Sequence, residues 1–555
     1  HTHDIQNDMD SWWGTMSITP AYHQTFKSKE IAQCLFNGDL VNGCDCDGRA
    51  INVQGRDVAN RDAKAWLADY FYLPSDFDST LTFDPKIKNF MVGLDFFLGL
   101  DEWWKGAYVR VHAPITHTRW DLNLCETVNA DGTTDHAEGY FTTGTLARTS
   151  LLSNFKSYAA GNAPAQDGDV VFSALRCAKM ACDTRKETGL ADLRMELGWN
   201  FWTDEDYHLG LNLQAAAPTG NSCCPNYLFD AVVGNGNHWE LGGGLTGHYV
   251  FWRSEDAEKH FGFYADASIT HMFDHSGKRT FDLNDKPNSK YMLAAKFGTN
   301  DEIIVGTSNA GTAATKIFAN EYTPVANLTT VAVDVSSSVQ ADVVTWFNFT
   351  SGGFSWDLGY NLYARSCEDI DCDTDCSKCP SDKPSLADAS QANTWVLKGD
   401  ARMFGYDGAT AERLSASQSK ATIHAGTEAA VGVPLTGDAH ANANADKPEE
   451  AFLQGGNDLD VSSGSATRIN TSIQPVFLSN ADINYAGTRS ISHAVFTHLS
   501  YNFEGDKWRP YLGVGAMAEF GSTDDCCDSS DSCDSCMDCA PSYWGVWVKG
   551  GVSFD

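Results

Sequence analysis

Residues 491–520 read ISHAVFTHLSYNFEGDKWRPYLGVGAMAEF, and residues 543–554 read YWGVWVKGGVSF. They predict three β-strands joined by one short turn and one long, cysteine-filled loop. In Ile491–Phe503 the odd positions are Ile491, His493, Val495, Thr497, Leu499, Tyr501 and Phe503. The even ones are Ser492, Ala494, Phe496, His498, Ser500 and Asn502. In Tyr511–Phe520, Leu512, Val514, Ala516, Ala518 and Phe520 share a face opposite Tyr511, two glycines, Met517 and Glu519. In Tyr543–Phe554, Trp544, Val546, Val548, Val552 and Phe554 lie opposite Gly545, Lys549, Gly551 and Ser553. Side chains alternate across a strand, so each segment has one oily and one polar face. Strands of about 10–13 residues, aromatic near their ends, suit a lipid-facing barrel wall; soluble sandwich strands are usually about half as long.

The pattern recurs upstream in Trp12–Phe26, Phe90–Leu100, Ala107–Thr116, Leu193–Phe201, His208–Gln214, Trp239–Phe251 and Phe261–Phe273. It returns in Ser289–Phe297, Val343–Phe349, Phe354–Ala364 and Trp395–Phe404. Short connections (101–105, 203–206, 253–260, 350–353, 504–508) alternate with longer ones (27–88, 121–189, 218–235, 274–287, 366–394, 521–542). Bacterial single-chain barrels alternate short periplasmic turns with long external loops in this way. The alternation gives each strand a direction. Phe297 and Val343 then run the same way, as do Phe404 and Ile491, so one strand is expected within 299–338 and another within 405–490. The fold class expected is all-β: one closed antiparallel transmembrane β-barrel over residues 1–555, with about 16 strands and an aqueous channel.

Length alone, 555 residues, would suggest three or four domains, and a single large barrel is the main exception. The net charge of −34 excludes nucleic acid as a partner, because phosphate binding needs a cationic footprint. No run approaches the ~18 apolar residues of a membrane helix. A mean hydropathy of −0.32 does not argue against a barrel, whose strands are only half apolar. Sixteen Trp suit interfacial girdles. The chain starts at His1 with no signal segment and is expected to be a mature, processed form.

The polar faces carry the candidate pore-lining residues Asp95, Arg110, Asp192, Arg194, Glu196, Glu240, Asp266, Lys296, Asp357, Arg365, Lys398, Asp400, Arg402, Glu519 and Lys549. The two signs nearly balance, so the acid excess lies mostly in loops. A packed core would not tolerate so many charges, whereas a wet lumen would, and a lumen lined with both signs passes small polar solutes by size and charge. The plainer reading is wall salt bridges. No nucleophile elbow, P-loop or His-Glu-x-x-His is present, so no enzyme is expected and no catalytic residue is assigned. His112 and His117 fall on opposite strand faces. His238, Glu240 and His248 share a face but span about 30 Å at strand rise, which makes them wall rather than catalytic. Of three sequons, Asn348-Phe349-Thr350 lies in a predicted membrane strand, which argues against its use.

Seventeen cysteines point to an oxidising compartment. Cys34, Cys44, Cys46, Cys125, Cys177, Cys182, Cys223, Cys224, Cys367, Cys372, Cys376, Cys379, Cys526, Cys527, Cys533, Cys536 and Cys539, nearly all in predicted external loops, are disulfide candidates. Long loops gain most from such cross-links, and an odd count leaves at least one thiol free or paired with another chain. The rival is zinc at Cys376-x-x-Cys379 and Cys533-x-x-Cys536-x-x-Cys539, which lack a well-spaced His. No resident metal or cofactor is expected. Asp371, Asp373 and Asp375, with Asp524, Asp525, Asp528 and Asp531, form acidic loops that would hold Ca2+ loosely or stay simply solvated.

Gly106–Leu122 (GAYVRVHAPITHTRWDL), Ala216–Asn237 and Lys278–Phe297 resemble the cysteine-rich major outer-membrane proteins of host-dependent Gram-negative bacteria, the chlamydial kind included. The resemblance covers about a third of the chain. It implies a trimeric outer-membrane porin in contact with outer-membrane lipid and lipopolysaccharide, with surface-exposed loops that add disulfides to the envelope. Such barrels commonly end on Phe, whereas here Phe554 precedes Asp555. The function expected is passive diffusion of small hydrophilic solutes or ions. The alternative is a surface-coat protein or adhesin with a plugged barrel.

Overall fold

The computed structural model describes residues 12–43, 46–136, 140–142, 145–168, 170–180, 182–222, 224–256, 258–297, 304–305, 313–314, 318–372, 385–388, 391, 394–399, 402–407, 410–415, 421–425, 478–523 and 536–554. Twelve strands form a closed antiparallel meander. They are β1 (Gly14–Thr25), β2 (Lys86–Gly99), β3 (Ala107–Asp121), β4 (Leu193–Asp204), β5 (Tyr207–Ala217) and β6 (Glu240–Arg253). They continue as β7 (Lys259–Thr280), β8 (Thr330–Ser351), β9 (Phe354–Arg365), β10 (Gly487–Asn502), β11 (Trp508–Gly521) and β12 (Tyr543–Phe554). Each strand pairs with its neighbour in sequence, and β12 closes the barrel on β1, with Gly14 opposite Phe554 and Thr25 opposite Tyr543.

Alternation sorts the wall. Outward residues such as Leu197, Leu213, Leu245, Val495, Leu512 and Val548 are exposed, Leu213 by 57%. Trp103, Trp104, Trp199, Trp202, Trp252 and Trp508 project near the short-turn end, and Trp239 and Trp544 near the other. A polar-cored cylinder wearing an apolar band with aromatic rims is the geometry of a lipid-facing barrel. No helix among the described residues is long and apolar enough to cross a membrane.

The barrel has twelve strands, not sixteen, and all twelve are among the fourteen the sequence pattern marks. The other two, 289–297 and 395–404, lie outside the wall: Leu293–Phe297 pairs with Trp395–Leu397 and Phe318–Pro324 in a small separate sheet. Tyr291, Met292, Leu293, Ala294 and Ala295 are all buried. Both faces of that strand are covered, so it reads as a continuous apolar run rather than an alternating one. With those two removed, the directions alternate correctly and no strand needs to hide in 299–338 or 405–490.

The long connections do not hang free; they build a cap with its own core over one mouth of the barrel. The connections before β2, β4, β8 and β10 bring together Trp66, Tyr70, Phe71, Tyr72, Tyr158, Tyr291, Tyr322 and Trp395, all fully buried. Helix α1 (Ser28–Leu35) contributes Ile31 and Ala32. Strands β7 and β8, each 22 residues long, run past the barrel into the cap, where Val331, Val333 and Val335 join the core. Two disulfides bind the long connection before β12 to its neighbours: Cys34–Cys539 on one side and Cys367–Cys536 on the other. With Cys536 and Cys539 bonded, that cysteine run is not a zinc site. Cys125, Cys177, Cys182 and Cys224, expected as disulfide candidates, are free thiols. Cys44, Cys223, Cys376, Cys379, Cys526, Cys527 and Cys533 lie outside the described residues, as do the side chains of Cys46 and Cys372.

Candidate functional site

The interior of the barrel is lined by odd positions on β1, β2, β9, β11 and β12 and by even positions on the other strands over the barrel proper. Two joined cavities occupy it. The smaller, 280 Å³, is walled by β1–β8 with β11 and β12 and is densely charged. Arg110 donates to Asp95 at 3.2 Å, and His112 Nδ1 meets the same carboxylate at 3.0 Å. The Tyr108 hydroxyl donates to Glu196 at 2.6 Å and Thr246 to Asp266 at 2.7 Å. Asn361 donates to Asp342. The larger cavity, 860 Å³, runs from His23 and Met517 near the cap to Glu258, Glu504 and Arg509 at the short-turn end. Asp95, His112, Val344, Tyr511 and Lys549 border both.

The charged residues expected from sequence divide as follows. Asp95, Arg110, Arg194, Glu196, Asp266, Asp357 and Lys549 line the cavities. Glu240, buried at the cap end of β6, binds Arg194 at 2.9 Å. Glu519 accepts from Ser492 at 2.6 Å. Arg365, at the cap end of β9, faces Glu368 at 3.8 Å. Asp192 precedes β4 at the rim and accepts the Asn235 amide at 2.8 Å. Lys296 and Lys398 are corrections: both belong to the cap. Lys296 pairs with Glu321 at 3.0 Å. Lys398 is fully buried, 3.5 Å from the centre of the Tyr140 ring. Arg402 sits in a hairpin, Arg402–Asp407 with Thr410–Ser415, that is not part of the barrel. Asp400 lies outside the described residues, as do all the acidic residues proposed for Ca2+ except Asp371.

What the charge pattern missed is a continuous inward row across neighbouring strands. Strand pairing places His208, His248, Tyr264 and Trp346 side by side on β5–β8. Tyr264 stacks on His248 at 4.9 Å and on Trp346 at 5.3 Å, with the rings nearly parallel. The row continues through Gly359, Phe496, Met517 and Gly545 to His23 on β1. A Cβ at Gly359 would collide with the Phe496 ring, one at Gly515 with Trp547, one at Gly545 with His23 and one at Gly551 with Tyr511. These rings lie flat across the glycines beside them, turning their faces toward the lumen. Glycine beside an aromatic on an adjacent strand allows that close lay-over. The signal in the sequence is the glycines on the polar faces of 511–520 and 543–554.

No protein-family model matches the chain, and no curated protein matches it. Among solved structures it is similar to an outer-membrane channel from Pseudomonas putida F1 (8% identity, 99% of this chain and 98% of that one, TM-score 0.33). It is also similar to a Pseudomonas aeruginosa FadL homologue (7% identity, 98% and 90%, TM-score 0.26). A third is the outer-membrane protease OmpT of Escherichia coli (6% identity, 99% and 97%, TM-score 0.20).

Proposed function

We propose that the chain is a bacterial outer-membrane channel passing small hydrophilic solutes by diffusion, with its cap on the cell surface. One observation carries the reading: the wall is apolar where it is exposed and polar where it encloses an 860 Å³ cavity. A water-soluble barrel would present the opposite arrangement. Outer-membrane lipid and lipopolysaccharide are the partners such a band requires. A homotrimer is the assembly implied by the likeness to cysteine-rich porins, and loose Ca2+ at the acidic loops belongs to the same reading. The cap itself favours a second reading, a surface-coat protein or adhesin whose barrel is closed. Purified protein reconstituted in planar bilayers separates the two. Discrete conductance steps are expected; a barrel that inserts, shifts on unheated gels and shows no steps supports the closed coat protein.

A further inference from the structure

The row of rings and the charge of the bore together point to a solute class, an inference resting on the channel reading above. Aromatic faces carry negative charge density and edges carry positive, so a cation over a ring face is attracted. Here the faces are held toward the lumen by neighbouring glycines, as Phe496 is across Gly359 and Trp547 across Gly515. The same cavity is bordered by four carboxylates, Asp95, Glu258, Asp357 and Glu504, against two full cations, Arg509 and Lys549. The smaller cavity has four carboxylates against three. Beyond the bore, the chain as a whole carries a charge of −34, which raises the local cation concentration around it.

Simple inorganic cations need only the carboxylates. Ring faces beside carboxylates suit a cation with an apolar body, which stacks while its charge is shared. We propose that the bore selects organic cations, protonated amines bearing a flat or apolar group, and that Phe496 and Trp547 set this preference. Both rings border the large cavity, each lying across a glycine of the adjacent strand. Sugars also stack on rings, but they draw nothing from the carboxylate excess, so the charge pattern favours amines.

The test uses the full chain in planar bilayers under a KCl gradient, with phenethylammonium, methylammonium and maltose as probes. The reversal potential is expected on the potassium side. Phenethylammonium is expected to halve the current at a concentration about 10-fold below methylammonium, and maltose to have no effect. Trp547→Leu and Phe496→Leu should each weaken the phenethylammonium effect about 3- to 10-fold relative to the methylammonium effect. Chloride selectivity, equal block by both amines, or block by maltose would overturn the proposal while leaving a channel. Titration calorimetry in detergent reads binding without conduction. Absent steps with phenethylammonium binding intact remove the channel and keep the site; absent steps without binding remove both.

Discussion

The barrel wall and the cap bury opposite things. In the wall, Leu213 and Val495 are more than half exposed, while Glu240, His248 and Asn348 are buried on the inner side. In the cap, Trp66, Phe71 and Tyr291 are fully buried and packed ring to ring, as in a water-soluble core. One chain is therefore built for two solvents. What separates them is where each strand's second face goes: to hydrocarbon in the wall, to another layer of protein in the cap.

The largest expected effect tests that difference directly. Trp66→Ala removes a ring that touches Phe36, Phe71, Phe155 and Tyr291, and should cost the cap about 4 kcal/mol. Near-ultraviolet circular dichroism of the cap and protease sensitivity of its connections should change, while the gel shift of the folded barrel persists. Val495→Arg is the mirror image, costing the wall about 3 kcal/mol near the bilayer centre and leaving the cap signal alone. If each substitution disturbs both regions equally, the two do not fold as separate layers.

The difference between the layers also governs what was legible in sequence. Wall strands alternate because they face two media, so Ile491–Phe503 and Leu193–Phe201 could be read at sight. The cap strands Leu293–Phe297 and Trp395–Leu397 have protein on both faces, and a short apolar run of that kind is not separated from wall by sequence alone. Residues 66–83, dense in aromatics, looked like irregular loop because their partners, Tyr158, Tyr291 and Trp395, are remote in the chain. In the bore, charged side chains were visible in the pattern. The ring row was not, since Trp346, Phe496 and His23 fall into one row only through pairing register. Lys398 was misplaced because a buried, ring-covered lysine and a wet one look alike in sequence.

Acid should separate the regions next. At the centre of the cap, Arg56 donates to Asp69 at 2.6 Å, and His136, fully buried, binds the Leu73 carbonyl at 2.8 Å. Arg56 and Lys398 both lie over the Tyr140 ring. Burial, with the nearby Arg56 charge, pushes the His136 imidazole down to about 3. Burial alone would raise Asp69, but Arg56, His136 and Lys398 pull it down to about 2. Both groups are depressed, so both contribute stability at neutral pH that is lost on acidification. His136 loses it from pH 6.5 downward, as the unfolded imidazole takes a proton the folded one refuses. Asp69 loses it from about 3.8 to 2. By pH 4 the cap should be about 3 kcal/mol less stable. His136→Gln should flatten the decline between pH 6.5 and 4. A cap whose melting temperature is level over that window contradicts the buried, neutral imidazole.

The two disulfides should matter least, and unequally, because the barrel already brings their ends together. Cys34 and Cys539 are 505 residues apart in sequence, yet Thr25 and Tyr543 pair directly at the ends of β1 and β12. The bond therefore closes a ring of about a dozen residues rather than hundreds, and its loss should cost roughly 2–3 kcal/mol. Cys367 and Cys536 are held closer still. Cys536 pairs in parallel with Gly487 at the start of β10, and Arg489 grips Asp538 at 2.6 Å. Arg365, two residues before Cys367, is opposite Ser490. Little freedom is left for that bond to remove, so its loss should cost about 1 kcal/mol. Cap melting in the Cys34→Ser/Cys539→Ser and Cys367→Ser/Cys536→Ser variants measures both. The ranking inverts only if the strand pairing at Gly487 is too weak to hold the connection alone, which would make the cap's edge depend on its sulfur rather than on its sheet.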